Sequence, residues 1–205
     1  MIALAAACAL ACAVLVWAEA RGRRGVRAIA KPIASLAFVA LGVVAGGGAR
    51  PWMLAGLVLG ALGDVALLGD GKRAFLAGLG AFLLGHVAYV IAIAVRVPPD
   101  TWLPIAGWRA AVPVAVGLGA LAWLWPHLGK LRVPVIAYVA AIVAMMVGAL
   151  AVADAPRLTA GAALFFASDL AVARDRFVAH GFANKAWGLP AYYAGQLLIA
   201  WSLAG

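Results

Sequence analysis

Charge is what this sequence has least of. Among 205 residues there are seven acids and sixteen lysines or arginines, so only 11% of the chain is charged. A soluble domain carries roughly 25% charged and 45–50% apolar residues. Here 67% is hydrophobic, and the mean hydropathy is +1.08. That balance excludes an ordinary soluble fold and places most side chains against lipid or other helices. Cysteine is scarce too. Cys8 and Cys12 lie four residues apart on one apolar helix face, where they read as small apolar residues, because a zinc site wants four close ligands. Long polar linkers, fixed-period repeats and low-complexity tails are missing, so the chain reads as one integral membrane domain, 1–205. There is no P-loop, dinucleotide fingerprint, nucleophilic Ser–His–Asp spacing or metal cluster. The glycines fall inside apolar helices and cradle no phosphate, so no cofactor and no metal is expected.

What is present is a series of apolar runs. A membrane span takes about 20 such residues. Eight stretches qualify, near 2–20, 28–46, 51–69, 74–95, 109–125, 133–153, 158–174 and 187–204. The expected fold is an all-α integral membrane bundle of about eight transmembrane helices. The fifth stretch is the weakest, since Pro113 interrupts it and PPDTWLPIAGW at 98–108 looks interfacial. The first run has no basic segment ahead of it, and its arginines follow it, so it reads as a retained helix and not a signal peptide.

The net charge of +9 is a topology signal, not a nucleic-acid signature. Twelve of the sixteen basic residues belong to odd-numbered loops: Arg21, Arg23, Arg24, Arg27 and Lys31; Lys72 and Arg73; Lys130 and Arg132; Arg174, Arg176 and Lys185. Only Arg50, Arg96, Arg109 and Arg157 lie in even loops. The positive-inside bias puts odd loops in the cytoplasm and both termini outside. The same charge attracts anionic headgroups of membrane lipids. Abundant alanine, glycine and arginine suggest a GC-rich bacterium, hence its inner membrane. No nucleic-acid partner is expected.

Against this background Asp64 stands out, in LVLGALGDVALLGDGKR at 57–73. It lies five residues from the cytoplasmic end of its span, about 7–8 Å at helical rise. Asp169, in GAALFFASDLAVAR, lies at matching depth on the seventh span. Lys31 and Pro32 fall in the expected first turn of the second span. Tyr192, Tyr193 and Gln196 enter the eighth from the same side, and His86 and Tyr89 sit deeper in the fourth. Ionisable residues inside a span usually face the interior or a wet cavity and mark function. The structural alternative is a polar lock between helices. Asp70, Asp175, Asp100 and Asp154 fall at span ends and read as solvated. His127 and His180 are loop residues without an evident partner. Gly56, Gly60 and Gly63, and likewise Gly78 and Gly85, give faces suited to close helix packing.

Two carboxyls in one poorly solvated site do not ionise alike. Burial favours the neutral form, and one negative charge disfavours a second. The pair then supplies a proton donor and an anion together. Three chemistries use such a pair: acid hydrolysis of a labile ether, intramembrane peptide hydrolysis, and proton-coupled transport. For the protease, Ala61–Leu62–Gly63–Asp64, Ser168–Asp169 and Pro190–Ala191–Tyr192 are near misses to the expected motifs. For a transporter, matched broken helices or inverted repeats are not evident.

Six blocks in order along the chain carry a resemblance: KPIAS at 31–35, GDVALL at 63–68, FLAGLGAFLLGHVAY at 75–89, RVPVIAY at 132–138, GAALFFASDLAVARDRF at 161–177 and YYAGQLLIA at 192–200. The chain resembles the YhhN-like lysoplasmalogenase family of eight-helix membrane proteins. The resemblance implies hydrolysis of the vinyl ether of a lysoplasmalogen, and the residue chemistry is compatible: one of Asp64 and Asp169 is expected as the general acid, and the other as the group that stabilises the cation or activates water. By the same residue chemistry Lys31 is expected to contact the substrate phosphate as a point charge, Tyr192, Tyr193 and Gln196 to orient the carboxyls or the glycerol hydroxyl, and His86 and Tyr89 to line the substrate site.

Overall fold

The computed structural model describes residues 1–46 and 51–204, so Arg50 of the second loop lies outside it. The described residues form nine α-helices and no strand: α1 (Ile2–Ala20), α2 (Arg24–Ala45), α3 (Pro51–Ala66), α4 (Lys72–Arg96), short α5 (Trp102–Ala106), α6 (Ala111–Leu124), α7 (Arg132–Ala151), α8 (Pro156–Ala173) and α9 (Phe182–Trp201). The protein is an all-α membrane bundle. Five helical segments are long and apolar enough to cross a bilayer: 2–20, 24–45, 72–96, 99–127 and 129–151. The α3 helix is apolar but shorter. The weak fifth span is α5 and α6, joined by a short 3-10 stretch over Gly107–Ala110.

The distribution of polarity is inverted relative to a soluble protein. Leu36, Val95, Trp108 and Val133 are exposed, whereas Lys31, Ser35, Asp64, His86, Ser168, Asn184 and Gln196 are buried. In lipid the outer surface must be apolar and polar groups must find partners inside. The most extensive packing joins sequence neighbours, α1 with α2, α3 with α4 and α8 with α9. At the α8–α9 crossing the backbones touch. A Cβ on Gly161 would lie 2.8 Å from the Gly195 carbonyl oxygen, and one on Gly195 would lie 2.9 Å from that of Gly161. Only glycine permits this approach.

Two helix starts differ from expectation. The α2 helix begins at Arg24, so Pro32 lies inside it and not in its first turn. The α9 helix begins at Phe182, and Pro190 lies inside it. Each proline lacks the N–H that would bond the carbonyl four residues earlier. Both interruptions fall in the helices that deliver Lys31, Tyr192 and Tyr193. The cysteines are buried and free, and the Cys8 thiol donates to the Ala34 carbonyl at 3.3 Å.

Candidate functional site

The α2 and α3 helices build one half of the site. Lys31 and Ser35 are one turn apart on α2 and share a face. Asp64 on α3 meets both. Lys31 Nζ is 3.2 Å from Asp64 Oδ1, and Ser35 Oγ is 2.7 Å from Asp64 Oδ2. From α9, the Tyr193 hydroxyl reaches the same Oδ2 at 3.3 Å. The Asp64 side chain is only 3% exposed and that of Lys31 10%.

The second half belongs to α4, α7 and α8. Tyr138 donates its hydroxyl to Asp169 Oδ1 at 3.1 Å. His86 Nε2 lies 3.4 Å from Asp169 Oδ2, and the opposite ring nitrogen, Nδ1, lies 2.8 Å from the Phe82 carbonyl oxygen. The imidazole packs against Phe165, with centroids 4.4 Å apart, and edge-on to Tyr138 at 5.2 Å.

Behind both halves sits a third polar group. Tyr89 donates to Gln196 Oε1 at 2.7 Å, and Gln196 Nε2 donates to the Tyr192 hydroxyl at 3.4 Å. The α3 glycines seat these side chains. A Cβ on Gly60 would lie 2.6 Å from Gln196 Nε2, and one on Gly56 would strike the Tyr89 ring. This face therefore accommodates large side chains of α4 and α9 as well as a close helix approach. Gly85 faces α3 at that approach, and a Cβ on it would lie 3.4 Å from the Gly56 carbonyl oxygen.

A cavity of about 540 Å³ joins the halves. Lys31, Asp64, Tyr138, Asp169 and Tyr192 line it, with Phe82, Phe166 and Ile142 among its apolar walls. Glu19, Arg27, Asp70, Arg176, His180 and Lys185 also line it, all near helix ends or in loops, and together form its charged mouth. Of the expected residues, Lys31, Asp64, Asp169 and Tyr192 thus face one space. Tyr193 and His86 contact the two carboxyls, and Tyr89 and Gln196 lie behind Tyr192.

The mouth is organised by side chains. Glu19 receives Lys185 Nζ at 2.9 Å on Oε2 and faces Arg27 Nη1 at 3.7 Å on Oε1. Arg27 also donates to the Leu68 carbonyl at 3.2 Å, at the chain's exit from α3. Asp175 is not merely solvated, and His180 has a partner. Asp175 Oδ1 accepts from the Gly181 N–H at 2.9 Å and from Asn184 Nδ2 at 3.0 Å, while His180 lies 3.1 Å from Oδ2. Burial pulls the Asp175 carboxyl up, but Asn184, the Gly181 amide, His180 and Lys185 together hold it below its ordinary value of 3.8.

Ser35 and Tyr138 are contacts that inspection of the acids and histidine misses. A signal existed for each. Ser35 stands four residues after Lys31, and Tyr138 is the one polar side chain of α7 beyond Arg132 apart from two methionines. Among the described residues, no group of three or more histidine, cysteine or acidic side chains is placed to hold a metal ion.

A helical membrane bundle that encloses two carboxyls in one cavity with a charged mouth is thus the class this chain falls in. The YhhN family sequence model matches residues 26–203, and the chain belongs to that family. It is 37% identical over 161 residues to a lysoplasmalogenase of Mycobacterium bovis, covering 73% of this chain and 59% of that one. It is 34% identical over 158 residues to "Lysoplasmalogenase TMEM86A" of Bos taurus, covering 72% and 62%. An Escherichia coli protein described as "Uncharacterized membrane protein YhhN" is 31% identical over 157 residues, covering 74% and 73%. The matched region spans about three fifths of the two lysoplasmalogenases. No solved structure matches the chain.

Proposed function

We propose that this protein hydrolyses the vinyl ether bond of a lysoplasmalogen, releasing a fatty aldehyde and a glycerophospho-ethanolamine or -choline. The observation that carries the reading is the single cavity lined by both Asp64 and Asp169. The names of the mycobacterial and bovine relatives support the substrate class. A vinyl ether is opened by protonation of its outer alkene carbon, which leaves an oxocarbenium ion for water to attack. One carboxyl supplies the proton, and the other faces the cation and receives a proton from the water.

The remaining residues have places in this scheme. The Lys31 ammonium has three donors, and its pairing with Asp64 leaves others for the substrate phosphate. Arg27 lies one turn nearer the mouth on the same helix, about 6 Å along the axis, a span similar to that of the glycerol unit between phosphate and ether. Tyr192 faces the glycerol hydroxyl, held by Gln196 and Tyr89. Tyr193 orients Asp64, and His86 orients Asp169. The apolar walls take the alkenyl chain, which is why the site lies at depth. The enzyme resides in a bacterial inner membrane with the mouth toward the cytoplasm and both termini outside.

The test is aldehyde release from a lysoplasmalogen by purified protein in detergent, beside Asp64→Asn and Asp169→Asn. Wild type should release aldehyde, and each monodisperse variant should lose at least about a hundredfold in rate. No aldehyde from well-folded wild type would overturn the reading and direct attention to proton-coupled transport in liposomes.

A further inference from the structure

We infer that the two aspartates are in different protonation states at rest: Asp64 is the charged carboxylate, and Asp169 holds a proton that it shares with His86. The chemical role of that proton rests on the ether-hydrolase reading. Its location does not.

Asp64 is committed to being an anion by its neighbours. Lys31 is buried and touches it, so protonating Asp64 would leave an uncompensated ammonium inside the bundle. Removing one member of a buried ion pair is strongly unfavourable. The Ser35 and Tyr193 hydroxyls also lie within donating distance of its Oδ2.

Asp169 has no such cation. Among the described residues its charged or titratable neighbours are Tyr138 from α7 and His86 from α4. The tautomer of His86 follows from its surroundings. A carbonyl oxygen only accepts, so Nδ1, at 2.8 Å from the Phe82 oxygen, carries a hydrogen. In the neutral ring Nε2 is then a bare acceptor. It faces Asp169 Oδ2 at 3.4 Å, and both atoms are buried without another hydrogen-bond partner among the described residues. Two bare acceptors would face each other there, so one proton belongs between them. An imidazolium–carboxylate pair would place two charges beside the Phe165 ring, with the His86 side chain wholly excluded from solvent. The neutral pair, imidazole and carboxylic acid, avoids that desolvation cost. The carboxyl holds the proton.

Asp169 is therefore the general acid. Its proton forms the new C–H bond at the outer alkene carbon, and an ether oxygen lone pair completes the oxocarbenium ion. Asp64 faces that cation and takes a proton from the attacking water, a step open to it only with substrate bound, when the substrate phosphate compensates the Lys31 ammonium. The hemiacetal then collapses. Its hydroxyl proton returns to Asp169, the bond to the glycerol oxygen breaks, and that oxygen takes the proton from Asp64. Both carboxyls end as they began. His86 and Tyr138 act through Asp169 and are positioning residues.

The decisive experiment is infrared spectroscopy of the purified protein without substrate. Wild type at neutral pH should show the carbonyl stretch of a protonated carboxyl group. The band should persist in Asp64→Asn, vanish in Asp169→Asn and change frequency in Tyr138→Phe, which removes a hydrogen bond from that carboxyl. The last variant serves if Asp169→Asn does not fold. Absence of the band from wild type, or its loss in Asp64→Asn but not Asp169→Asn, would overturn the assignment, as would an unmoved band in Tyr138→Phe. Aldehyde release separates this from the substrate reading. The infrared pattern without aldehyde sinks the lysoplasmalogen alone, and aldehyde without the pattern sinks the proton assignment alone.

Discussion

At the scale of single residues, the Lys31–Asp64 contact and the Ser35 hydroxyl that reinforces it differ in kind. Replacing Lys31 with methionine leaves Asp64, 3% exposed, as a buried charge without its cation. That change should destabilise the bundle by about 3–5 kcal/mol. Ser35→Ala removes one neutral donor to a charged acceptor at 2.7 Å and should cost about 1–3 kcal/mol. Unfolding in detergent measures both. Lys31→Met combined with Asp64→Asn should recover part of the first loss, since no charge remains to be buried. Equal effects of Lys31→Met and Ser35→Ala would mean that the ion pair does not dominate this half of the site. The same contrast explains what could be read from sequence. An acid or lysine inside an apolar run announces itself, so Asp64, Asp169 and Lys31 are visible. A serine or tyrosine does not, because either can sit in a membrane helix with its hydroxyl bonded locally. Tyr138 becomes informative only when folding brings it to Asp169, 31 residues away.

At the scale of helices, the α8–α9 hairpin sets the position of Asp169 relative to Tyr192 and Tyr193. Its crossing depends on Gly161 and Gly195, and its loop is closed by Asp175. Asp175 lies beyond the end of α8, and its carboxyl titrates below the ordinary value. A group whose folded pKa is depressed stabilises the fold above its unfolded pKa and loses that contribution as pH falls through the folded one. Asp175→Asn should therefore lower the melting temperature at neutral pH. The gap to wild type should close as pH falls below about 4. A gap that is constant across this range would show that the loop responds to shape and not charge. The helix boundaries teach a related lesson. The runs beginning near 28 and 187 mark where the chain becomes apolar, whereas α2 and α9 begin at Arg24 and Phe182. A helix continues past the hydrocarbon edge wherever water or headgroups satisfy its polar side chains. Hydropathy therefore finds the lipid boundary and misses the first helical turn, which here holds Arg27 and Lys185.

At the scale of the whole molecule, the charge pattern and the cavity constrain one another. Glu19, Arg27, Asp70, Arg176, His180 and Lys185 belong to the first, third and seventh connections, yet they line one mouth. Those connections therefore lie at one end of the bundle. If each long helix crosses once, with α5 and α6 counted as a single crossing, the proposed topology has eight passes and puts both termini on the opposite side. The excess of lysine and arginine in these loops supports the proposed orientation, with that end in the cytoplasm. A lysolipid would then enter from the cytoplasmic leaflet, its headgroup at the mouth and its chain between the apolar walls. Reporter fusions at the C-terminus test this orientation. An enzyme reporter active only outside the cytoplasm should be active there, and a fluorescent reporter that matures only in the cytoplasm should stay dark. The opposite result would turn the mouth outward, and with it the leaflet from which a substrate is drawn, while leaving the contacts among Lys31, Asp64, His86 and Asp169 unchanged.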